Sequence, residues 1–276
     1  MEYAVVDANI RKFYFFVGRA TPPHSGHIQV IQETIKLARA GRTCALILLG
    51  DGPAGGLRTR ANPIEHDTKA DFIRHRLGML GYQEQRDYII LKKDDRPVGQ
   101  VAEFVSDRIP ENVTEIEISQ VAGNKDDDAT KLEWILPLSC KKLKQLLHSR
   151  QIQILNGGVT SIDPVDEPPT AAKAMSATFV RDTAVACYDS PGNDMNTAFT
   201  EWLQAFPFYS EDERSRILSK PMFEQIIKYK DITSEKGVIQ AADDLLKEYN
   251  YNIKTRLQSF YVGSHVMKDM SQLYYY

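Results

Sequence analysis

Phe13-Tyr14-Phe15-Phe16-Val17-Gly18-Arg19-Ala20-Thr21-Pro22-Pro23-His24-Ser25-Gly26-His27 is the stretch on which the fold is decided. Its first five residues are aromatic or β-branched and read as a short buried strand. Gly18 breaks that strand, and Pro22, Pro23 and Gly26 mark a loop. From His27 onward, Ile28, Ile31, Ile35 and Leu37 fall near helical spacing. A helix therefore runs to about Arg39, and Gly41 ends it.

Working outward, the same alternation repeats. Ala45 to Leu49 is a second buried strand ending at Gly50, and Gly52, Pro53, Gly55 and Gly56 make a loop. Ala70, Phe72, Ile73, Leu77 and Leu80 outline an amphipathic helix closed by Gly81. Tyr88 to Leu91 reads as a strand, Val98 to Ile109 as a helix, and Ile116 to Val121 as a strand ending at Gly123. Leu143 to His148 belongs to a helix, Ile152 to Leu155 to a strand, and Met175 to Ala186 to a helix. Short apolar strands alternating with helices imply an α/β fold with a parallel sheet covered on both faces. In such sheets ligands bind beyond the carboxyl ends of the strands, where the strand order reverses. The loops after Val17, Leu49 and Val121 are predicted to face one crevice.

Asp189-Ser190-Pro191-Gly192-Asn193 is a turn-rich linker. It separates an α/β domain, 1–190, from a small α-helical C-terminal module, 191–276. In that module Trp202, Leu203 and Phe206, then Phe223, Ile226 and Ile227, then Ala241, Leu245 and Leu246 fall at helical spacing.

Length and composition narrow the function classes. The 276 residues are 42% hydrophobic and 26% charged, which is ordinary for a globular chain large enough to bury a core without disulfides. A net charge of −3 offers no basic surplus for nucleic acid as the main partner. No apolar run reaches the roughly 18 residues that span a bilayer, so no membrane partner is expected. The N-terminus carries Glu2 and Asp7 and lacks a basic segment followed by a long apolar run, so a secretory signal is not expected either. Three widely spaced cysteines, Cys44, Cys140 and Cys187, fit reduced thiols in a cytoplasmic setting better than a disulfide framework.

The pattern His24-x-Gly26-His27 carries the strongest chemical signal. It places two imidazoles at a helix N-terminus, where unpaired N–H groups and the helix dipole already favour an anion. Each imidazole can donate to a phosphate oxygen, and Gly26 lets a phosphate come close. A second signal is Met175-Ser176-Ala177-Thr178-Phe179-Val180-Arg181. Ser176 is a good helix cap, Thr178 adds a hydroxyl, and Arg181 offers a planar fork to polyphosphate. A cap and a helical arginine are common, so this motif gains meaning only beside the first. Arg58-Thr59-Arg60-Ala61-Asn62-Pro63 follows the second strand, and its arginines could meet phosphate or simply solvate a loop. Gly123-Asn124-Lys125-Asp126-Asp127-Asp128 is a charge run after a strand end. Lys125 there is a candidate phosphate contact, oriented by Asp126.

Together these segments resemble the nucleotidylyltransferase superfamily that carries the His-x-Gly-His motif. Within it they are most similar to the archaeal-type nicotinamide-mononucleotide adenylyltransferases, whose bacterial relatives are fused to a Nudix domain. The matching pieces, 17–27, 49–63, 121–132 and 175–181, occur in family order over about 165 residues. The resemblance implies a Rossmann-like α/β fold and transfer of AMP from ATP, with Mg²⁺, onto nicotinamide mononucleotide, giving NAD and pyrophosphate. It implies catalytic roles for His24, His27 and Arg181. Gly18, Arg19, Gly26, Ser176 and Thr178 would bind ATP, and Asn62, Lys125 and Asp126 the mononucleotide. No protein metal ligand is implied. Relatives of this kind often self-associate, which makes a homo-oligomer an expectation.

The chain departs from that family in two places. The family often stacks an aromatic residue, commonly Trp, on the nicotinamide. The corresponding stretch 94–104 offers no Trp, and Phe104 is its nearest aromatic. The C-terminal module lacks a Nudix box, so no second hydrolase activity is expected. Three other readings share some of the pattern. One is a cytidylyltransferase or phosphopantetheine adenylyltransferase, and another is a fragment of a class I aminoacyl-tRNA synthetase. The third is a nucleotide sensor without turnover. The Arg-Thr-x-Gly-Ile-Ser-Thr-Thr stretch typical of cytidylyltransferases is absent from 173–178. The synthetase reading lacks a basic surplus, and a pure sensor need not hold both phosphate motifs.

Overall fold

The computed structural model describes residues 10–50, 58–94, 96–124, 133–164 and 176–233. Its first strand, β1 (Ile10–Gly18), sends alternate side chains to opposite faces. Phe13, Phe15 and Val17 enter one apolar cluster, while Phe16 enters another with Tyr14 packed against it. A strand apolar on both faces must lie inside a sheet that is covered on both sides.

That is where β1 sits. The strands β2 (Ala45–Gly50), β3 (Tyr88–Lys93), β4 (Glu115–Gly123) and β5 (Gln153–Ile162) join it in the order β3-β2-β1-β4-β5. All four pairings are parallel, with Phe15 opposite Leu46 and Phe13 opposite Ile118. Between them run α1 (Ser25–Ala40), α2 (His66–Met79), α3 (Pro97–Ser106) and α4 (Ile135–Leu146). Helices α1 and α2 supply Ile31, Ile35, Ile73 and Leu77 to the cluster that holds Phe16. Helices α3 and α4 supply Val101, Val105, Leu136 and Leu143 to the cluster that holds Phe13 and Phe15. The result is a Rossmann-like α/β sandwich. The chain winds outward through β2 and β3, then returns to place β4 on the other side of β1. The order therefore reverses at β1, and the carboxyl ends of β1 and β4 frame the crevice.

Several boundaries differ from the sequence reading. β5 continues to Ile162 through Asn156-Gly157-Gly158, which looks like a turn in sequence. The sheet absorbs the irregularity as a register shift opposite 118–120, and a Cβ on Gly157 would collide with the Ser119 and Glu117 side chains. α4 starts at Ile135, eight residues ahead of the expected Leu143, and its first turn buries Ile135 and Leu136.

After β5, α5 (Ala177–Asp189) is followed by α6 (Met195–Ala205), a short 3₁₀ turn (Pro207–Tyr209) and α7 (Glu213–Lys228). The linker 189–193 is a turn in which Asn193 N donates to the Ser190 carbonyl and Gly192 takes φ +84°. The helices beyond it are not isolated from the sheet layer. Trp202, Phe206, Tyr209 and Phe223 share one apolar cluster with Ile64 and Phe72 beside α2, and with Val180 and Ala184 of α5. The Trp202 indole donates to the Val180 carbonyl at 3.1 Å. The expected helix around Ala241, Leu245 and Leu246 lies outside the described residues. All three cysteines are free thiols, with Cys140 buried and Cys44 and Cys187 half-buried. Among the described residues no helix is long and apolar enough to cross a membrane.

Candidate active site

The crevice at the switch point is organised around the loop between β1 and α1. Ala20 leaves the strand with φ +45°, and the Thr21–Pro22 peptide is cis. His24 is the residue that caps α1, with extended backbone angles of −138° and 175°. His27 occupies the third helical position. Its Nδ1 accepts from the His24 N–H at 3.4 Å, the reach-back usually made by Glu or Gln. The two rings lie with centroids 3.9 Å apart, tilted by 43°. Gly26 is small for a reason other than the turn. A Cβ there would stand 3.1 Å from the His24 ring, so the glycine is the space in which that ring lies over the first helical turn.

His27 is held neutral. Desolvation draws its pKa from 6.5 down to about 4, and the Lys69 ammonium adds to the effect. Lys69, from α2, is fully buried. Its Nζ donates to the Arg19 carbonyl at 3.1 Å and to the Gly50 carbonyl, so one ammonium ties together the chain leaving β1 and the end of β2.

The other predicted residues gather on the same loop. Arg181, in the second turn of α5, donates to the Thr21 carbonyl and, at 3.1 Å, to the Thr178 hydroxyl. Burial is the main force drawing its guanidinium below the ordinary arginine value. Arg19 and Arg60 push the same way, and Asp182 opposes them. Asp182 is paired with Arg60 at 3.0 Å. Ser176 caps α5, its hydroxyl oxygen accepting from the Phe179 N–H at 3.1 Å. Gly18 ends β1, and Arg19 beside it is exposed at the mouth of the crevice. The structure thus brings His24, His27, Arg19, Arg181, Ser176, Thr178 and Asn62 to one place. Lys125 and Asp126 lie outside the described residues. Among the described residues no group of three or more His, Cys, Asp or Glu side chains could hold a metal ion.

Asn62 follows a tight turn in which its N–H donates to the Thr59 carbonyl. Its side chain meets Thr21, whose hydroxyl lies 3.0 Å from the amide and 2.9 Å from the Arg19 carbonyl. One hydroxyl proton cannot serve both acceptors. Turning the amide over lets it donate to Thr21 while Thr21 donates to Arg19. In either orientation one amide atom of this buried side chain has no protein partner among the described residues.

Phe104 does not serve as the stacking aromatic. It is only 5% exposed, packs edge-on against Phe13 at 6.4 Å between centroids, and carries the Arg108 guanidinium over its ring. Its place on α3 turns it into the core under the sheet.

Two residues of this neighbourhood are absent from the sequence reading. Lys69 sits four residues before Ile73 and eight before Leu77, so a lysine on the apolar stripe of α2 was the available signal. Tyr209 carried no such mark. Its hydroxyl donates to the Pro23 carbonyl at 2.7 Å.

No protein-family model matches this chain, and no curated protein matches it. Among solved structures it is similar to a bifunctional NMN adenylyltransferase/ADP ribose pyrophosphatase from Francisella tularensis. That likeness has a TM-score of 0.48 and 16% identity, over 86% of this chain and 57% of the other. It is also similar to Thermotoga maritima TmcAL bound with alpha-thio ATP, with a TM-score of 0.30 and 11% identity, over 79% of this chain and 55% of the other. The chain spans little more than half the length of each.

Proposed function

We propose that this chain is a nucleotidyltransferase that moves AMP from ATP onto the phosphate of a mononucleotide, with nicotinamide mononucleotide as the acceptor. One observation carries the reading. Arg181, on α5, donates to the Thr21 carbonyl of the short loop that leads into the paired imidazoles of His24 and His27, although 154 to 157 positions separate it from them in sequence. Two helix beginnings, α1 and α5, thereby face one crevice that also holds Arg19 and Arg60. Imidazole donors, guanidinium groups and helix N-termini in one cleft suit a polyanion.

The reaction needs no protein nucleophile. A phosphate oxygen of the acceptor attacks the α-phosphorus of ATP in line. The new P–O bond forms as the bond to the bridging oxygen of the β-phosphate breaks, and pyrophosphate departs with that electron pair. The protein's task is to hold two mutually repelling anions together and to neutralise the charge that grows on the leaving group. His27, neutral at pH 7 and accepting at Nδ1, offers Nε2–H to a phosphate oxygen. Arg181 offers a charged fork, and Ser176 and Thr178 offer hydroxyls. Asn62 meets the acceptor with its spare amide atom, and the resemblance assigns Lys125 and Asp126, which lie outside the described residues, to the same acceptor. Mg²⁺ enters as part of the nucleotide substrate, held by phosphate oxygens and water, a coordination it prefers.

The test is pyrophosphate release from ATP with each candidate acceptor. Release with nicotinamide mononucleotide, or with its deamidated form, supports the reading. His27→Ala and Arg181→Ala are each expected to lower kcat by about 10² to 10³ with the circular dichroism of the fold retained. Full turnover in either variant contradicts the assigned role. No release with any acceptor, alongside ATP binding, makes the chain a sensor.

A further inference from the structure

The loop that carries His24 poses an anchoring problem. Pro22 and Pro23 have no N–H, so two consecutive residues can be held only through their carbonyls. Arg181 takes the carbonyl of Thr21, and Tyr209 takes that of Pro23. Tyr209 arrives 186 positions later, from the 3₁₀ turn beyond the linker. It is 1% exposed, stacked on Trp202 with centroids 4.5 Å apart and planes 17° apart, and flanked by Phe72 and Phe208. A ring clamped this way leaves its hydroxyl little choice of position.

The other end of the same peptide group is also engaged. The His24 N–H points to His27 Nδ1. The Pro23–His24 peptide is therefore held at its oxygen by Tyr209 and at its N–H by His27. A hydrogen bond to the carbonyl polarises the amide and strengthens its N–H as a donor. A ring nitrogen that accepts a hydrogen bond cannot carry the proton, so the proton of the neutral ring sits on Nε2.

We propose that Tyr209 is a positioning residue for the transfer: through the Pro23–His24 peptide it orients the His27 ring and keeps its proton on Nε2, the atom left to face a phosphate. The proposal rests on the reading of this crevice as the triphosphate site. It assigns the helices beyond the linker a part in the site, since the hydroxyl that sets the loop belongs to them.

Tyr209→Phe removes one oxygen and keeps the ring and its stacking. In the full chain labelled with ¹⁵N, the His27 ring signals are identified by their loss in His27→Gln. The wild-type protein at pH 7.5 is expected to show an unprotonated Nδ1 and a protonated Nε2. In Tyr209→Phe the two tautomers mix, and kcat for pyrophosphate release falls about tenfold, less than removal of the donor itself. Ser219→Ala is the control, because the Ser219 hydroxyl lies 2.9 Å from the Tyr209 carbonyl and touches no part of the loop. It lowers the melting temperature and leaves the tautomer and kcat unchanged. If Tyr209→Phe behaves like Ser219→Ala, Tyr209 only packs and the proposal is overturned. A wild-type His27 with its proton on Nδ1, or charged at pH 7.5, overturns it without any variant. A tautomer shift in Tyr209→Phe, with no pyrophosphate release by the wild type, leaves the positioning intact and removes the transfer reading instead.

Discussion

His27 shows what a single residue owes to its surroundings. Its sequence position marks it as a candidate phosphate donor, while its protonation state follows from burial and from the positive charge of a lysine that the fold brings near. Because the folded ring binds a proton less readily than the unfolded one, the unfolded chain carries the extra proton between about pH 4 and 6.5. Stability therefore rises with pH across that window, and this contribution is fully present above 6.5. Urea unfolding at half-unit steps from pH 4 to 7.5 measures the slope, and His27→Gln should flatten it. A slope identical in both proteins contradicts the assignment. The paired imidazoles were legible because a short strand, a loop and a helix can be read from five residues and a spacing rule. Lys69 leaves only the trace of a lysine on an apolar stripe, since its value lies in two carbonyls at the ends of β1 and β2. Phe104, the nearest aromatic of its segment in sequence, is turned inward by the face of α3 on which it sits.

Elements join the site to the rest of the molecule through their ends. Asp212 caps α7 by accepting from the Arg214 and Ser215 N–H groups at 2.9 and 3.1 Å. It also meets His75 Nε2 of α2 at 3.0 Å. The Ser215 hydroxyl, bonded at 2.6 Å, is the largest of several contacts holding that carboxyl well below the usual range. Asp212→Ala removes the cap and the tie to α2 together, and a loss of about 2 kcal/mol is expected in chemical denaturation. An unchanged denaturation midpoint would place α7's stability elsewhere. At this scale the sequence was informative where periodicity was unbroken, as in α1 and β2. It failed where a local signal was overruled by neighbours. Asn156-Gly157-Gly158 carries turn chemistry, yet β4 leaves room only for a glycine at 157 and keeps the strand going. The start of α2 was also missed, because its first turn, beginning at His66, precedes the apolar stripe.

The whole molecule sets a net charge of −3 against a crevice where Arg19, Arg60 and Arg181 gather. On the proposed reading, Arg19 and Arg181 draw a polyanion locally to a chain that repels it on average. Three apolar clusters build that crevice: one on each face of the sheet and a third that joins α2 and α5 to the helices past the linker. The parallel sheet and its reversal at β1 were legible from the alternation of elements. The third cluster was not, because a turn-rich stretch reads alike whether it separates two domains or folds one helix back on another. The proposed meeting of two helix beginnings, α1 and α5, at one triphosphate is tested most directly by a crystal structure with a non-hydrolysable ATP analogue. The predicted result is a triphosphate touched by His27 from one side and Arg181 from the other. A nucleotide bound elsewhere, or one reached by only one of the two residues, would contradict it.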